Sequence, residues 1–93
     1  MRFNKNHACF QGHFDHQPIV PGAYLLSLAI DYIYQTHPTI TSLQVIQAKF
    51  PQSLTPETHY EWQLTEQKPG IYIIRAKNDS QLFLQARLKG ELR

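Results

Sequence analysis

The stretch that most restricts the fold of this chain is Cys9–Tyr24, whose sequence is CFQGHFDHQPIVPGAY. Pro18 and Pro21 fix the backbone φ angle and exclude regular structure across the middle of the stretch. An apolar segment follows at once, so Gly22 is predicted to lie at a helix N-terminus, where unpaired N–H groups carry partial positive charge. A rigid loop that holds His13 beside such a terminus suits chemistry at a carbonyl.

The segment Gly22–Gln35 carries the clearest helical signal in the chain. At about 100° per residue, its apolar side chains cover most of the helix circumference, and Ser27 and Asp31 fall on a narrow polar strip. A helix that is apolar on nearly all sides is normally buried. His37 is predicted to end the helix, because the residue before Pro38 is pushed out of the helical region.

The chain after this helix is typical of a sheet. Strands alternate between apolar and polar residues and are separated by turn residues. In the last hairpin one parity is apolar and includes Leu82, while the other carries four cations: Arg75, Lys77, Arg87 and Lys89. The predicted strands are Arg2–Ala8 at an edge, Thr41–Phe50, Thr58–Glu66, Ile71–Lys77 and Gln81–Lys89. One long helix with an antiparallel meander that bears one apolar face predicts an α+β fold, helix on sheet.

Length and charge restrict the classes of function. The 93 residues fit one domain, 1–93, and a chain this short is better stabilised as a dimer. The formal charge of +2 is too small to indicate nucleic acid, and no apolar run is long enough to span a bilayer. Cys9 is the only cysteine, so no intrachain disulfide can form, and the cytoplasm is the simplest location to expect.

The histidines of the first stretch do not predict a metal site. His7, His13 and His16 have no acidic or cysteine partner at a known ligand spacing. We therefore expect neither a metal nor a cofactor.

A family resemblance rests on the same stretch. Residues 12–22 read GHF-x-x-x-P-I-V-P-G, which resembles the motif of the β-hydroxyacyl-acyl carrier protein dehydratases of the FabA/FabZ type. The likeness is dense over Phe10–Gly22 and looser over Gln47–Pro51 and the closing strands. It implies a hot-dog fold, in which an antiparallel sheet wraps a central helix.

The resemblance also implies roles for individual residues. His13 would remove the α-proton of a 3-hydroxyacyl thioester, a task that suits an imidazole near neutral pH. The N–H of Gly22 would donate a hydrogen bond to the thioester carbonyl and stabilise the enolate-like charge. The carbonyl of Ile19 would orient the histidine, and Phe14 of the GHF motif would belong to the substrate-binding loop.

One position departs from the family pattern. The family places Glu or Asp on the central helix fourteen residues after the histidine, contributed by the other subunit of a dimer, and this position is Ser27 here. A serine hydroxyl is too weak an acid for this work, and losing a general acid commonly lowers the rate by about 10²–10⁴. Asp31, one turn later on the same strip, is the candidate replacement. Alternatively it is a surface residue or a hydrogen-bond partner of Tyr24 or Tyr34, and Ser27 is then a substrate contact.

These residues predict a dehydratase-like protein of fatty acid or polyketide-type biosynthesis. It would act as a homodimer on acyl carrier protein or CoA thioesters. Three alternatives stay open: a non-catalytic acyl-thioester-binding protein, a heterodimer subunit whose partner supplies the carboxylate, and a hot-dog acyl thioesterase that uses Asp31. The four cations of the last hairpin either dock an acidic acyl carrier protein or form the solvated side of the hairpin.

Overall fold

A computed structural model of the protein describes residues 1–4, 7 and 19–92. These residues form one helix and one antiparallel sheet with the strand order β1-β4-β3-β2. Along the chain the elements are α1 (Gly22–Thr36), β1 (Ile40–Lys49), β2 (Glu61–Lys68), β3 (Ile71–Lys77) and β4 (Leu82–Leu92). The helix packed on the sheet confirms the predicted α+β class and is consistent with a hot-dog fold.

The order of the strands differs in one respect from a simple meander. β2, β3 and β4 follow one another through tight turns, as the sequence predicts. β1, however, pairs with β4 and not with β2, so the chain crosses from one sheet edge to the other through residues 50–60. Within the part of the chain that the structure describes, β1 and β2 are therefore the two edges.

The helix ends where the sequence predicts, within one residue. Leu25, Ala29 and Ile33 lie one turn apart and are buried against the sheet. At the C-terminal end, the N–H of His37 donates to the carbonyl of Ile33 at 2.8 Å. His37 itself leaves the helical region, at φ −127° and ψ 78°, as expected for the residue before Pro38.

The core lies between α1 and the inner face of the sheet. Its side chains come from one parity of β3 and β4, from one face of α1 and from the segments that flank β2. The buried hydrophobic residues are Phe3, Val20, Leu25, Ala29, Ile33, Ile40, Leu54, Tyr60, Tyr72, Ile74, Ala76, Phe83, Leu84, Ala86 and Leu88.

A bulge changes which side chains of β4 reach the core. Ala76 lies opposite Leu84, but its neighbour Lys77 lies opposite Leu82, so the register shifts by one residue. The extra residue, Phe83, is 1% exposed, whereas Leu82 is only half-buried. Strict alternation groups Leu82 with Leu84, but it fails at the bulge, which moves Phe83 into the core in place of Leu82.

The start of the chain also differs from its prediction. The edge strand expected over Arg2–Ala8 is not a regular strand in its described residues. Instead, the N–H of Tyr60 donates to the carbonyl of Met1 at 2.7 Å, and that of Glu57 donates to Phe3 at 2.6 Å. This segment thus lies against the residues that precede β2.

Candidate functional site at the N-terminus of the helix

The candidate site is built around the first turn of α1. The first helical hydrogen bond runs from the N–H of Leu25 to the carbonyl of Pro21, at 3.0 Å. In the part of the chain that the structure describes, no side chain caps this end, and the first turn contains no acidic residue. Within the described residues, the N–H of Gly22 has no hydrogen-bond partner. Among the described residues, no acidic side chain of the first turn offsets the positive end of the helix dipole here.

The ring of Phe50, just beyond β1, lies against the α-carbon of Gly22. A Cβ at position 22 would stand 3.1 Å from Cε1 and 3.2 Å from Cδ1 of that ring. Glycine thus permits a close approach that a side chain would obstruct. Because Phe50 remains 45% exposed, its ring borders both the helix terminus and solvent.

A largely apolar cavity of about 270 Å³ lies beside this terminus. Its inner wall is fully buried, while its mouth includes Ile19, which is 42% exposed. The N–H of Val20 donates to the carbonyl of Leu54 at 2.7 Å, which ties the segment before the helix to the loop that forms one wall. The lining residues are Ile19, Val20, Gly22, Leu25, Phe50, Gln52, Ser53, Leu54 and Phe83.

The structure brings together two of the residues that the sequence proposes for the site. Ile19 and Gly22 line the same cavity. His13 and Phe14 lie outside the described residues, so their roles stay predictions.

Ser27 and Asp31 lie on a different side of the helix from the cavity. Both are exposed, whereas Leu25, two residues before Ser27, lines the cavity. The hydroxyl of Ser27 donates to the carbonyl of Tyr24 at 2.7 Å. Among the hydrogen bonds of the described residues, none joins Asp31 to Tyr24 or Tyr34. One chain alone therefore does not bring either helix residue to its own cavity.

Sequence reasoning proposed only Ile19 and Gly22 among the nine lining residues, and three of those that it missed are large apolar side chains. Phe50 belongs to Gln47–Pro51 (QAKFP), where the likeness to the family is loose. Its position before Pro51 is the signal that could have singled it out. Leu54 is the one apolar residue of a polar loop. Phe83 reaches the cavity through the bulge in β4, and no sequence pattern marks that bulge.

Aromatic rings hold the opposite flank of the helix. The ring of Phe3 stacks on Tyr60 with centroids 5.8 Å apart and lies 6.0 Å from that of Tyr24. Tyr32 on α1 stacks on Trp62 at 5.8 Å. Burial raises the pKa of Tyr60, and the neighbouring Tyr24 adds to this effect. These contacts fix the helix to β2 and keep the Tyr60 phenol neutral.

Two further features, a cluster of metal ligands and a membrane-spanning helix, were sought in the described residues. Among residues 1–4, 7 and 19–92, no three His, Cys, Asp or Glu side chains are grouped as metal ligands would be. Over the same residues, no helix has both the length and the apolar character needed to cross a membrane.

The described residues form one helix on an antiparallel sheet, with an apolar cavity at the helix N-terminus, an α+β arrangement consistent with the hot-dog class. Residues 1–86 match the family model of the ApeI-like proteins, described as ApeI dehydratase. The match covers nearly the whole chain, so the protein belongs to the ApeI-like dehydratase family, and the predicted relationship to dehydratases is confirmed at that level. Neither the curated proteins nor the solved structures include a match.

Proposed function

We propose that this protein is a 3-hydroxyacyl thioester dehydratase of the FabA/FabZ type, whose acyl group binds in the cavity beside Gly22. The observation that carries this proposal is that Gly22 both begins α1 and lines the cavity. A helix N-terminus beside an apolar pocket suits a ligand with an apolar chain and a polarised carbonyl.

Each step of the reaction has a residue in this proposal. The thioester oxygen accepts a hydrogen bond from the N–H of Gly22, which stabilises the negative charge as the α-proton leaves. His13 takes that proton, and the carbonyl of Ile19 orients its ring. The electron pair of the broken C–H bond forms the new double bond, while the β-hydroxyl takes up a proton and leaves as water.

The proton for the leaving hydroxyl is proposed to come from a second subunit. Ser27 and Asp31 are exposed and outside the cavity of their own chain. The outer edge of β1 pairs with no strand in the described structure and carries the exposed Val45 and Ile46. An unpaired edge of this kind readily accepts a strand from another molecule. A homodimer would place Asp31 of one helix near the cavity of the other.

A second candidate is a non-catalytic protein that binds acyl thioesters, alone or as one subunit of a heterodimer. The observation that favours it is Ser27 at the family's acid position, with its hydroxyl already donated to the Tyr24 carbonyl. Such a protein would keep the cavity and Gly22 but lack turnover.

The test is an assay of enoyl thioester formation from 3-hydroxyacyl thioesters of acyl carrier protein and of CoA, with binding measured by calorimetry in parallel. For a dehydratase we expect turnover in the parent and its loss in folded His13→Ala. Thioester binding without turnover would support the second candidate. Absence of both would contradict the proposed function.

A further inference from the structure

The cavity beside Gly22 has an exposed mouth and a buried inner wall. Ile19 and Phe50, at the mouth, are 42% and 45% exposed. On the inner wall the exposed fraction falls to 2% for Leu54 and 1% for Phe83. A chain that enters beside Gly22 therefore reaches these two buried side chains last, and its far end lies against them.

Phe83 lies on the inner wall because of the bulge in β4. Ala76 lies opposite Leu84 and Lys77 lies opposite Leu82, so Phe83 is the extra residue and has no partner of its own on β3. Regular alternation would have placed it on the outer face of the sheet, whereas the bulge turns it inward. The largest side chain of the inner wall thus depends on a local irregularity of one strand.

Gln52 holds the backbone at the start of this bulge. β1 ends at Lys49, opposite Gln85, so no strand of the described sheet pairs with Leu82 on that side. The N–H of Leu82 donates instead to Oε1 of Gln52 at 3.1 Å. Gln52 also lines the cavity. The residue before Phe83 is therefore tied to the loop that forms one wall, which keeps the ring of Phe83 in place.

The size of the cavity limits the length of chain that fits in front of Phe83. Its volume is about 270 Å³. An apolar protein cavity of about 150 Å³ holds benzene, with its six carbons, so the same packing gives about eleven carbons here. Part of this volume lies at the mouth, where the thioester carbonyl meets Gly22. The cavity therefore suits acyl groups of up to about ten carbons.

We propose that Phe83 sets the upper length of the acyl group and makes the protein selective for chains of up to about ten carbons; this inference rests on the proposed function for the position of the thioester. Shorter chains leave apolar wall uncovered and bury less surface. Longer chains meet a ring that is 1% exposed and close-packed in the core, so it does not move aside. Phe83 contacts the end of the chain and takes no part in the chemistry.

The experiment measures how affinity depends on chain length. The probes are saturated acyl thioesters of pantetheine, the arm that CoA and carrier proteins share, and their chains run from well below to well above the limit. They lack the hydroxyl that leaves, so calorimetry reports binding without turnover. Burial of each CH₂ group should raise the affinity about fourfold. For the parent we expect this gain up to about ten carbons and no gain beyond.

Two variants of β4 form a matched pair. Phe83→Leu and Leu88→Ala each delete three carbons from a buried side chain, but Leu88 is not among the described residues that line the cavity. Both changes should lower thermal stability. Phe83→Leu should extend the length limit by about two to three carbons, whereas Leu88→Ala should keep the limit of the parent. Circular dichroism checks that each variant is folded. If Phe83→Leu is not, Phe83→Met, whose flexible side chain can move aside, should give the same extension.

The outcomes separate the length limit from the chemistry. A limit that lengthens in the Phe83 variant and not in Leu88→Ala supports the proposal even where the parent turns over no thioester. Turnover by a parent whose affinity keeps rising far beyond ten carbons, or does not depend on length, overturns the proposal and leaves the dehydratase function intact. An unchanged limit in a folded Phe83 variant, or an equal shift in Leu88→Ala, also overturns it.

Discussion

The two ends of α1 differ in how completely they are packed. At the C-terminal end, the ring of His37 lies 5.2 Å from that of Tyr72, and the N–H of Gly90 donates to the carbonyl of Gly70 at 2.8 Å. At the N-terminal end, Gly22 lines a cavity, and no side chain of the described residues caps the helix. We call the C-terminal end the closed end and the N-terminal end, which borders the cavity, the open end.

The closed end is also where a phenol is held neutral. Burial raises the pKa of Tyr72, and the nearby carboxylate of Glu66 adds to the effect. Glu66 also accepts from the N–H of Gly70 at 3.3 Å. These contacts join β2 and β3 to the C-terminal end of α1. They are structural, since they lie at the opposite end of α1 from the cavity.

The largest effect is expected from restoring an acid at the open end. Ser27→Glu should raise the rate of 3-hydroxyacyl thioester dehydration by up to about 10²–10⁴, because a general acid is commonly worth that much. The rate of enoyl thioester formation measures it, and Ser27→Gln is the matched control without an acid. A folded Ser27→Glu protein no faster than the parent would show that the pocket differs from the family in more than its acid.

The next effect concerns Asp31, which lies about 6 Å further from Gly22 along the helix than Ser27 does. Asp31→Asn keeps size and hydrogen bonding but removes the acid. If Asp31 protonates the leaving hydroxyl, turnover should fall at least about tenfold while thermal stability stays close to that of the parent. Unchanged turnover would eliminate Asp31 as the acid.

Gly22 at the open end and Gly90 at the closed end test whether the two ends of α1 differ in packing. A Cβ at Gly90 would lie 2.9 Å from the ring of Tyr72, which is 3% exposed and cannot move aside. Gly90→Ala should therefore lower the free energy of unfolding by about 1–3 kcal/mol. Gly22→Ala meets the exposed ring of Phe50, which can shift, so its stability should change by less than about 1 kcal/mol. Urea denaturation of both variants measures their free energies of unfolding. Equal losses of stability would contradict the difference in packing between the two ends of the helix.

A smaller effect is expected from the Tyr72 hydroxyl. Tyr72→Phe removes the hydroxyl that titrates beside Glu66 and should change stability at neutral pH by less than about 1 kcal/mol. Because the folded-state pKa is raised, the parent should lose stability as pH rises above 10.0, the ordinary value for tyrosine. Urea denaturation across this range should show a shallower loss in the variant. An equal slope in both proteins would argue against the Tyr72 contribution.

Much of the fold could be predicted because it depends on local pattern. Periodicity placed the helix, and alternation gave Ile71–Lys77 its observed bounds. Pairing of β1 with β4 could not be predicted, because strand order depends on contacts between distant segments. The burial of Phe83 could not be predicted either, because the alternation of apolar and polar residues does not reveal a one-residue bulge.

The candidate site was predictable to the extent that it is local. Pro21 before an apolar segment placed Gly22 at the helix N-terminus, and helical spacing put Ser27 and Asp31 on one exposed strip. The cavity itself was not predictable, because its walls come from three separated parts of the chain, including Leu54. The proposed contribution of a second subunit depends on contacts that no single sequence specifies.

The most direct test of the account is to follow the glycine amides by ¹⁵N NMR while a non-reactive acyl thioester analogue is added. The chain has only 4 glycines, so their signals are readily assigned. The account predicts that the Gly22 amide proton moves downfield as it donates to the carbonyl, while Gly70 and Gly90 at the closed end stay in place. Saturable binding that leaves Gly22 unmoved, or that shifts Gly70 and Gly90 instead, would contradict it.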